Sequence, residues 1–540
     1  MVRGYGSRGR RVARRGAAAS LVVLAALTLQ RGTDLVVAVA LVLAAWGVLR
    51  RRHPALPVGC GLAVLTSAIG VAHGDRALVV ISGLAVLAVV AIRHDLVGEL
   101  DEGRRHFTMQ IAVAVGCGGM VSGAAAVLAH PSGWEPAPTV SMALHEAAAR
   151  LVGGVGPLAA TSREARVALD VLPVLGTVGV VLVLVALMAP LGSVGDGDSE
   201  RSRVVALVCR SGDDSLAPFA LRGDKDYVFS PDRSAAVGYR SVLGVGLASG
   251  DPVGPPDARA DAFVAYLEQC DARGWVPGVI GAGEDTTALA RRLGMHAVCI
   301  GDEAVVDVAS FRLDMPARRN VRQAVQRTRN FGVTTEVIAE HDVSRDVRSA
   351  LIGVAEEGRR GTPERGFSMI LDSLLGHPWA RPIIVLCRDA GGAPIAFQRF
   401  LPYGDGLGLT LDVMRRTQSA PNGVNERMIV EMIEWGRSHG IGEVSLNFAA
   451  FRDIFEADRG FIGNIQYWLV HRFDRFIKIE SLYRFNAKFR PGWRRRYVLF
   501  RSLSDVATFL PAALVAEFAL SKPRRRPPSD ATVEALPALQ

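Results

Sequence analysis

The chain has 540 residues, 49% of them hydrophobic, and a formal net charge of +9. Its positive mean hydropathy sets it apart from purely soluble proteins, and its length allows two to four domains. Its six cysteines are scattered singly, with no CxxC, which excludes a zinc or disulfide framework.

The apolar residues gather before residue 190, so a membrane region precedes a soluble one. Positive charge gathers at the other end. Residues 472–526 carry fourteen Lys/Arg against four Asp/Glu. A localised basic patch calls for an acidic partner, anionic lipid or RNA.

Residues 1–15 hold six arginines and read as a cytoplasmic basic tail. The apolar run Gly16–Leu49 is interrupted by Gln30-Arg31-Gly32 and Asp34, and reads as a hairpin that keeps both basic ends inside. Further candidate spans are 55–72, 77–92, 107–129 and 171–189, the last two without a charged residue. Six spans put both termini in the cytoplasm and make 130–166 an outer loop, with an amphipathic helix from Met142 to Val152. Few intramembrane charges argue against an ion pathway. His145-Glu146 opens like HExxH, but Ala149 stands in the fifth place, so no metal site is read.

After a linker over 191–203, the grammar is mixed α/β. Strands are expected at Arg203–Cys209, Tyr227–Ser230, Ala235–Val242, Leu243–Ala248, Val276–Gly281 and Ala297–Ile300, with helices at Asp257–Arg273 and Asp285–Leu293. Pro316–Phe331 reads as a helix on which Arg318, Arg322 and Arg329 fall within about 40° of one another, either a solvated face or a phosphate-tracking one. A second round follows: strand Val333–Ile338, helix Val343–Arg359, loop Gly361–Ser368, strand Ile383–Arg388, a hairpin turn at 389–394, and strand Ile395–Leu401.

The stretch from Leu409 to Gly440 reads strand, polar loop, helix. Asp412 and Arg415 are expected just past the strand's end, and Asn422 in Pro421-Asn422-Gly423 as the helix cap. Val424, Met428, Met432 and Ile433 recur at helical spacing. The helix would turn its positive dipole end toward the carboxylate and guanidinium, a place to hold a polar, partly anionic substrate. The same spacing also fits an ordinary strand–loop–helix with a surface Asp–Arg pair.

The order of strands and helices resembles the acetyltransferase-like (GNAT) fold, twice over. Two stretches match that fold's acyl-CoA signature in letters, Arg388–Ala393 and Arg437–Gly442, but one falls in a hairpin turn and the other at a helix end. A set of short pieces resembles the cytoplasmic domain of the phosphatidylglycerol aminoacyltransferases, the lysylphosphatidylglycerol synthase or multiple-peptide-resistance-factor family. They are Gly250-Asp-Pro-Val-Gly254, Arg319-Asn320-Val-Arg322, Glu364-Arg-Gly-Phe-Ser368, Asp412-Val-Met-Arg415, Pro421-Asn-Gly423, Ser445-Leu-Asn-Phe448, and Ser481 through Trp493 with Arg496-Tyr497. The closing SLYRFNAKFRPGWRRRY most resembles the actinobacterial branch, some of whose members carry a fused lysyl-tRNA synthetase that this chain is read as lacking.

The resemblance implies a multi-span α-helical membrane domain (1–190, about six helices), the linker, and tandem acetyltransferase-like α/β domains at 204–332 and 333–510. A basic, Pro-rich tail at 511–540 would close the chain. It implies transfer of an aminoacyl group from aminoacyl-tRNA to phosphatidylglycerol, without a cofactor, since the donor ester is already activated. Lysine leads as the group carried and alanine is the alternative; the rival readings are aminoacyl transfer to a peptidoglycan precursor and a non-catalytic, membrane-tethered RNA- or lipid-binding protein. Partners would be the charged tRNA, phosphatidylglycerol and membrane lipids, with a homo-oligomer left open. The enzyme would sit in a bacterial plasma membrane with its catalytic part in the cytoplasm.

By the same resemblance Asp412, Arg415 and Glu364 are the catalytic residues. A carboxylate beside an arginine stays ionised, which suits binding an ammonium. Ser368, Asn422, Glu426, Asn447, Arg319, Arg322, Arg484, Lys488, Trp493 and Arg496 would bind substrates, Asn447 as a donor to an oxyanion. Tyr483, Phe485, Phe489, Trp493 and Tyr497 interleave with basic residues, a mixture that suits RNA ends or lipid headgroups, or equally core aromatics on an amphipathic element.

Overall fold

The computed structural model describes residues 8–30, 35–96, 102–151, 154–188, 198–359, 370–371, 373–377, 379–450 and 479–518. The chain forms two compact units, Met1–Leu191 with Asp271–Gly274, and Gly192–Cys270 with Trp275–Gln540.

The first unit is helical: α1 (Arg8–Gln30), α2 (Leu35–Leu49), α3 (Ala55–Ala72), α4 (Arg76–Ala91), α5 (Glu102–Ala129), α6 (Val140–Leu151) and α7 (Arg163–Met188). Four of these hold stretches long and apolar enough to cross a membrane: Val12–Gln30, Ala55–Ala72, Thr108–Ala129 and Arg163–Val185. Two of the six expected spans, Val36–Leu49 and Arg76–Ala91, are apolar but shorter. The hairpin expected over 16–49 forms as α1 and α2; α1 gains length by running back through its arginines. Small and branched side chains (Leu21, Leu24, Leu41, Ala44, Ala63, Ala85, Val89) fill the space between α1 and α4. Val64, Val71, Val80 and Leu87 point outward, as lipid-facing side chains do. The hydroxyls of Thr28 and Thr66 donate to carbonyls of their own helices, Ala25 O and Leu62 O. A two-stranded ribbon, β1 (Trp134–Glu135) with β2 (Ala159–Ala160), flanks α6, where the expected amphipathic helix lies. Glu146 of α6 is buried, accepting from Arg150 Nε and Leu158 N at 2.9 Å each.

The second unit opens with α8 (Asp198–Cys209), where a strand was expected over Arg203–Cys209. Val204 and Val208, one turn apart, are both buried in this helix, against Ala217 and Leu221. An eleven-stranded sheet follows: β3 (Asp226–Phe229), β4 (Ala236–Val242), β5 (Val245–Ser249), β6 (Val276–Ala282), β7 (His296–Asp307), β8 (Thr334–Ala339), β9 (Ile383–Arg388), β10 (Pro394–Tyr403), β11 (Gly408–Arg416), β12 (Glu443–Ala450) and β13 (Gly492–Phe500). Its order is β3-β4-β5-β6-β13-β7-β12-β11-β10-β9-β8. The helices are α9 (Arg259–Arg273), α10 (Glu284–Arg292), α11 (Arg319–Asn330), α12 (Arg345–Arg359), α13 (Val424–Ser438), α14 (Ile479–Ala487) and α15 (Val506–Phe518).

Among the described residues only β5/β6 and β11/β12 pair in parallel, and α9 and α13 respectively connect them. Each half therefore repeats one plan, antiparallel strands ending in a parallel pair bridged by a helix, which is the tandem acetyltransferase-like arrangement. The halves share one sheet because β7 pairs with β12 and the late strand β13 inserts between β6 and β7. α11 packs on α13, across the division at 332 drawn from the sequence. The core of this half joins Val321 and Val325 of α11 to Met428, Ile429, Met432 and Ile433 of α13 and to Phe400, Leu409 and Val444 of the sheet.

Candidate functional site

Strands β11 and β12 pair in parallel at only three positions, Gly408–Thr410 with Glu443–Ser445, and then diverge. Such a split at the carboxyl ends of parallel strands is where open α/β sheets place ligands. Asn447 stands at the divergence with φ 65°, and its Nδ2 donates to Leu411 O across the gap at 2.9 Å. That bond holds the split in shape, the structural reading of Asn447 that the sequence allows beside that of an oxyanion donor.

Asp412 lies within β11, not past its end, because the strand runs on to Arg416. It is the extra residue of a β-bulge: Arg399 faces Val413 while Phe400 faces Leu411. The expected Asp412–Arg415 pair does not form. Asp412 instead pairs with Arg399 of β10, whose Nε lies 2.6 Å from Oδ2. Arg399 is 0% exposed and also meets Glu340 Oε2 at 3.4 Å and the carbonyls of Ser373 and Leu374. Asp412 Oδ1 accepts from Leu371 N at 2.9 Å, Glu340 accepts from Gly376 N, and Arg222 donates to Ile370 O at 2.7 Å. These groups form a buried clamp on residues 370–371 and 373–376. Glu364 and Ser368, just before in the chain, lie outside the described residues. Arg415 is half-buried, with Nη1 on Met414 O at 3.0 Å.

Beyond the end of β11 opens a cavity of about 480 Å³, lined from α11, the β11 end, the start of α13 and α14. The chain reaches α13 through Gly423, at φ 108°, where a Cβ would sit 2.9 Å from Ala324 O. Glycine thus permits both the left-handed turn and the close approach of α11. Gly423, and not Asn422, occupies the cap position; the Asn422 side chain lines the cavity. Glu426 and Lys488 face each other in the wall, Nζ to Oε1 2.7 Å, with Lys488 Nζ 5.2 Å from the Phe485 ring centre. Beside this wall, Gln398 Nε2 donates to Asn425 O. Asn425 Oδ1, on the cavity lining, is buried with no partner among the described residues, and an unsatisfied buried polar atom facing a cavity points to a ligand.

The other residues expected to bind substrate divide. Arg319 is exposed on α11. Arg322 is a correction: its Nη1 donates to the carbonyls of Leu313 and Asp314, fixing the turn before α11. Arg318, on the same expected stripe, is buried over Phe311 and donates to Phe489 O. Trp493 stacks on Tyr483 at 5.1 Å and Phe489 is in the core, so only Phe485 of the five interleaved aromatics lines the cavity. Arg484 is exposed on α14.

Arg496 is the clearest correction. It lies buried in the first half, 2.6 Å from Glu303 and 3.5 Å from both Asp214 and Asp251, so it holds the fold together away from the cavity. Burial works against its charge, but Glu303, Asp214 and Asp251 outweigh this and hold it above the usual guanidinium range. Burial also opposes the Glu303 charge, yet Arg496 and the hydroxyls of Ser215 and Ser445 keep that carboxyl low. Asp214, farther from the guanidinium, is pushed up to about 6 by burial and by Asp251. A folded-state pKa above the ordinary 3.8 favours folding below that value and loses the benefit as pH rises through 6. Asp214→Asn keeps an acceptor for Leu216 N and removes the titration. It should match wild type at pH 4 and exceed it in stability at pH 8, measured by denaturant unfolding across that range.

Sequence reasoning missed Arg399, Glu303, and the cavity residues Asn320, Gln323, Arg327, Arg416 and Asn425. A signal existed for the first: Gln398-Arg399 interrupts an otherwise apolar strand, Ile395–Leu401.

Residues 205–500 match the family described as phosphatidylglycerol lysyltransferase, C-terminal. The chain is 39% identical over 317 residues to the lysylphosphatidylglycerol biosynthesis bifunctional protein LysX of Mycolicibacterium gilvum, covering 58% of this chain and 29% of the relative. It is 38% identical over 330 residues to the protein of the same name from Gordonia bronchialis, covering 59% and 29%. The chain thus spans about three-tenths of the length of these relatives. Two solved structures share the fold. The C-terminal domain from Agrobacterium fabrum, assigned as a lysylphosphatidylglycerol synthetase, superposes with a TM-score of 0.53 at 23% identity, covering 60% of this chain and 99% of that one. L-PGS from Bacillus licheniformis superposes at 0.52 and 22%, covering 60% and 98%. With the match running through the whole sheet from α8 to β13, the chain belongs to the phosphatidylglycerol lysyltransferase C-terminal domain family.

Proposed function

We propose that this protein transfers an aminoacyl group, lysyl foremost, from aminoacyl-tRNA to phosphatidylglycerol. The family match over 205–500 carries the reading, and four membrane-length helices in the same chain support it. The acceptor hydroxyl oxygen bonds to the ester carbonyl carbon, the bond from that carbon to the ribose oxygen breaks, and the proton passes from the acceptor to the ribose. The donor is already activated, so the protein's task is to orient the two oxygens and stabilise the transient oxyanion. Lys488, held by Glu426 in the cavity wall, supplies the positive charge, with Arg415 as a second cation. Asp412 acts as a positioning residue, holding the backbone just after the Glu364–Ser368 loop. Those two loop residues keep their proposed roles as second carboxylate and hydrogen-bonding group. The enzyme works in a bacterial plasma membrane, its second unit on the cytoplasmic side. Lysylation changes the headgroup charge from about −1 to about +1, which weakens attraction of cationic peptides.

The test is mass spectrometry of lipids from a heterologous host making the full chain. A new lipid at phosphatidylglycerol plus lysine, absent with Lys488→Met, is the expected result. Phosphatidylglycerol plus alanine would keep the reaction and change the group carried. No new lipid from folded, membrane-inserted protein with charged tRNA present would overturn the reading.

A further inference from the structure

The cavity beside α13 has a chemistry of its own. Arg327 of α11, Arg416 at the end of β11 and Lys488 after α14 face it from three elements, against one carboxylate, Glu426. Arg327 is exposed and has no hydrogen-bond or ion-pair partner among the described residues, so its charge is available to a ligand. Four amides (Asn320, Gln323, Asn422, Asn425) line the same space. Asn425 Oδ1 is buried there without a partner among the described residues. Apolar lining is confined to Ala324 and the half-buried ring of Phe485.

Each feature narrows the ligand. An excess of two positive charges calls for an anion. Amides, which both donate and accept, are superfluous for a bare phosphate but suit the edge of a nucleobase. Phe485 is the aromatic ring on the lining, half-buried with Lys488 Nζ 5.2 Å from its centre, and a ring beside a cation suits a nucleobase as single-stranded nucleic-acid sites do. Acyl chains would find almost no apolar wall here. A volume of about 480 Å³ lies in the range of small-ligand sites.

We infer that this cavity seats the 3′-terminal nucleotide of the donor RNA. Arg327 and Arg416 take its phosphodiester, the amides of α11 and α13 read the base, and Phe485 offers the stacking face. The inference rests on the proposed aminoacyl transfer and says which substrate occupies this side of the site. The ester on the terminal ribose then lies toward Lys488 and Glu426.

The test uses the full chain in nanodiscs and an uncharged RNA minihelix with a single-stranded CCA end, labelled at its 5′ end. Arg327→Gln should weaken binding about tenfold and lower the slope of log affinity against log salt by about 0.7, the value for one lost contact to a single strand. Removing the terminal adenosine should weaken wild type about tenfold, and Arg327→Gln or Phe485→Leu less than twofold. Arg292→Gln, an exposed α10 substitution, is the control for a general charge effect. Variants that bind both minihelices as wild type does would overturn the assignment. So would an unchanged RNA affinity with a raised KM for phosphatidylglycerol, which would make the cavity a headgroup site. Wild type that binds the RNA through Arg327 but transfers nothing to lipid would leave the cavity assignment standing and sink the proposed reaction. Transfer by wild type and by Arg327→Gln at equal KM for the RNA would do the reverse.

Discussion

Replacing Asp412 by alanine is expected to cost the second unit about 3–5 kcal/mol, because it leaves a buried guanidinium without its nearest counter-charge. Arg399 is wholly buried, and its other acidic neighbour, Glu340, is farther away at 3.4 Å. The same change removes the acceptor for Leu371 N and so loosens the clamped segment at Leu371. Any loss of transfer in Asp412→Ala therefore mixes stability with chemistry, and three measurements separate them. Denaturant unfolding of Asp412→Ala should show the loss directly. Asp412→Asn, which keeps an acceptor for Leu371 N, should lose less. Arg399→Met combined with Asp412→Leu should lose less than the two single changes added together, by a coupling of about 1–3 kcal/mol. Wild-type stability in Asp412→Ala with transfer abolished would refute the clamp and return Asp412 to direct contact with substrate.

That clamp also shows where sequence reasoning reaches its limit. The β11–loop–α13 unit was legible because Val424, Met428, Met432 and Ile433 carry a helical period and Pro421-Asn422-Gly423 announces a turn. The pairing of Asp412 was not, since Arg415 is near in the chain but Arg399 is brought near by the sheet. β7 was expected to stop at Ile300, before Gly301-Asp302-Glu303, which reads locally as a turn. It runs to Asp307 because Arg494, Arg495 and Arg496 of β13 lie opposite those three residues. The same contact explains the place of Arg496: Asp214, Asp251 and Glu303 come from three separate segments, so their convergence on it has no local trace. α8 failed for a different reason. Arg203–Cys209 is a short apolar run, rich in valine, that fits a strand or a buried helix equally well by period alone.

Lys488→Met is expected to reduce kcat about 100- to 1,000-fold, the cost of removing one charge aimed at a developing oxyanion, with a smaller change in KM for either substrate. The substitution has a second consequence, since Glu426, 9% exposed, loses its 2.7 Å partner and is left as an unpaired carboxylate in the cavity wall. A structural role and a catalytic one therefore predict the same single-variant result, and Glu426→Gln distinguishes them. If Lys488 serves only to neutralise Glu426, the double variant Lys488→Met/Glu426→Gln removes both charges together and recovers most of the activity. If Lys488 acts on the reacting ester, the double variant stays as slow as Lys488→Met, and Glu426→Gln alone keeps a kcat within about tenfold of wild type. Lys488→Arg offers an intermediate case. It keeps the charge but spreads it over a planar fork that cannot occupy the position of the ammonium near the Phe485 ring, so it should restore folding fully and kcat only in part. Single-turnover transfer from charged tRNA to phosphatidylglycerol in nanodiscs, measured on these four variants, decides between the two roles. Recovery in the double variant would remove Lys488 from the chemistry and leave Arg415 as the cation to test next.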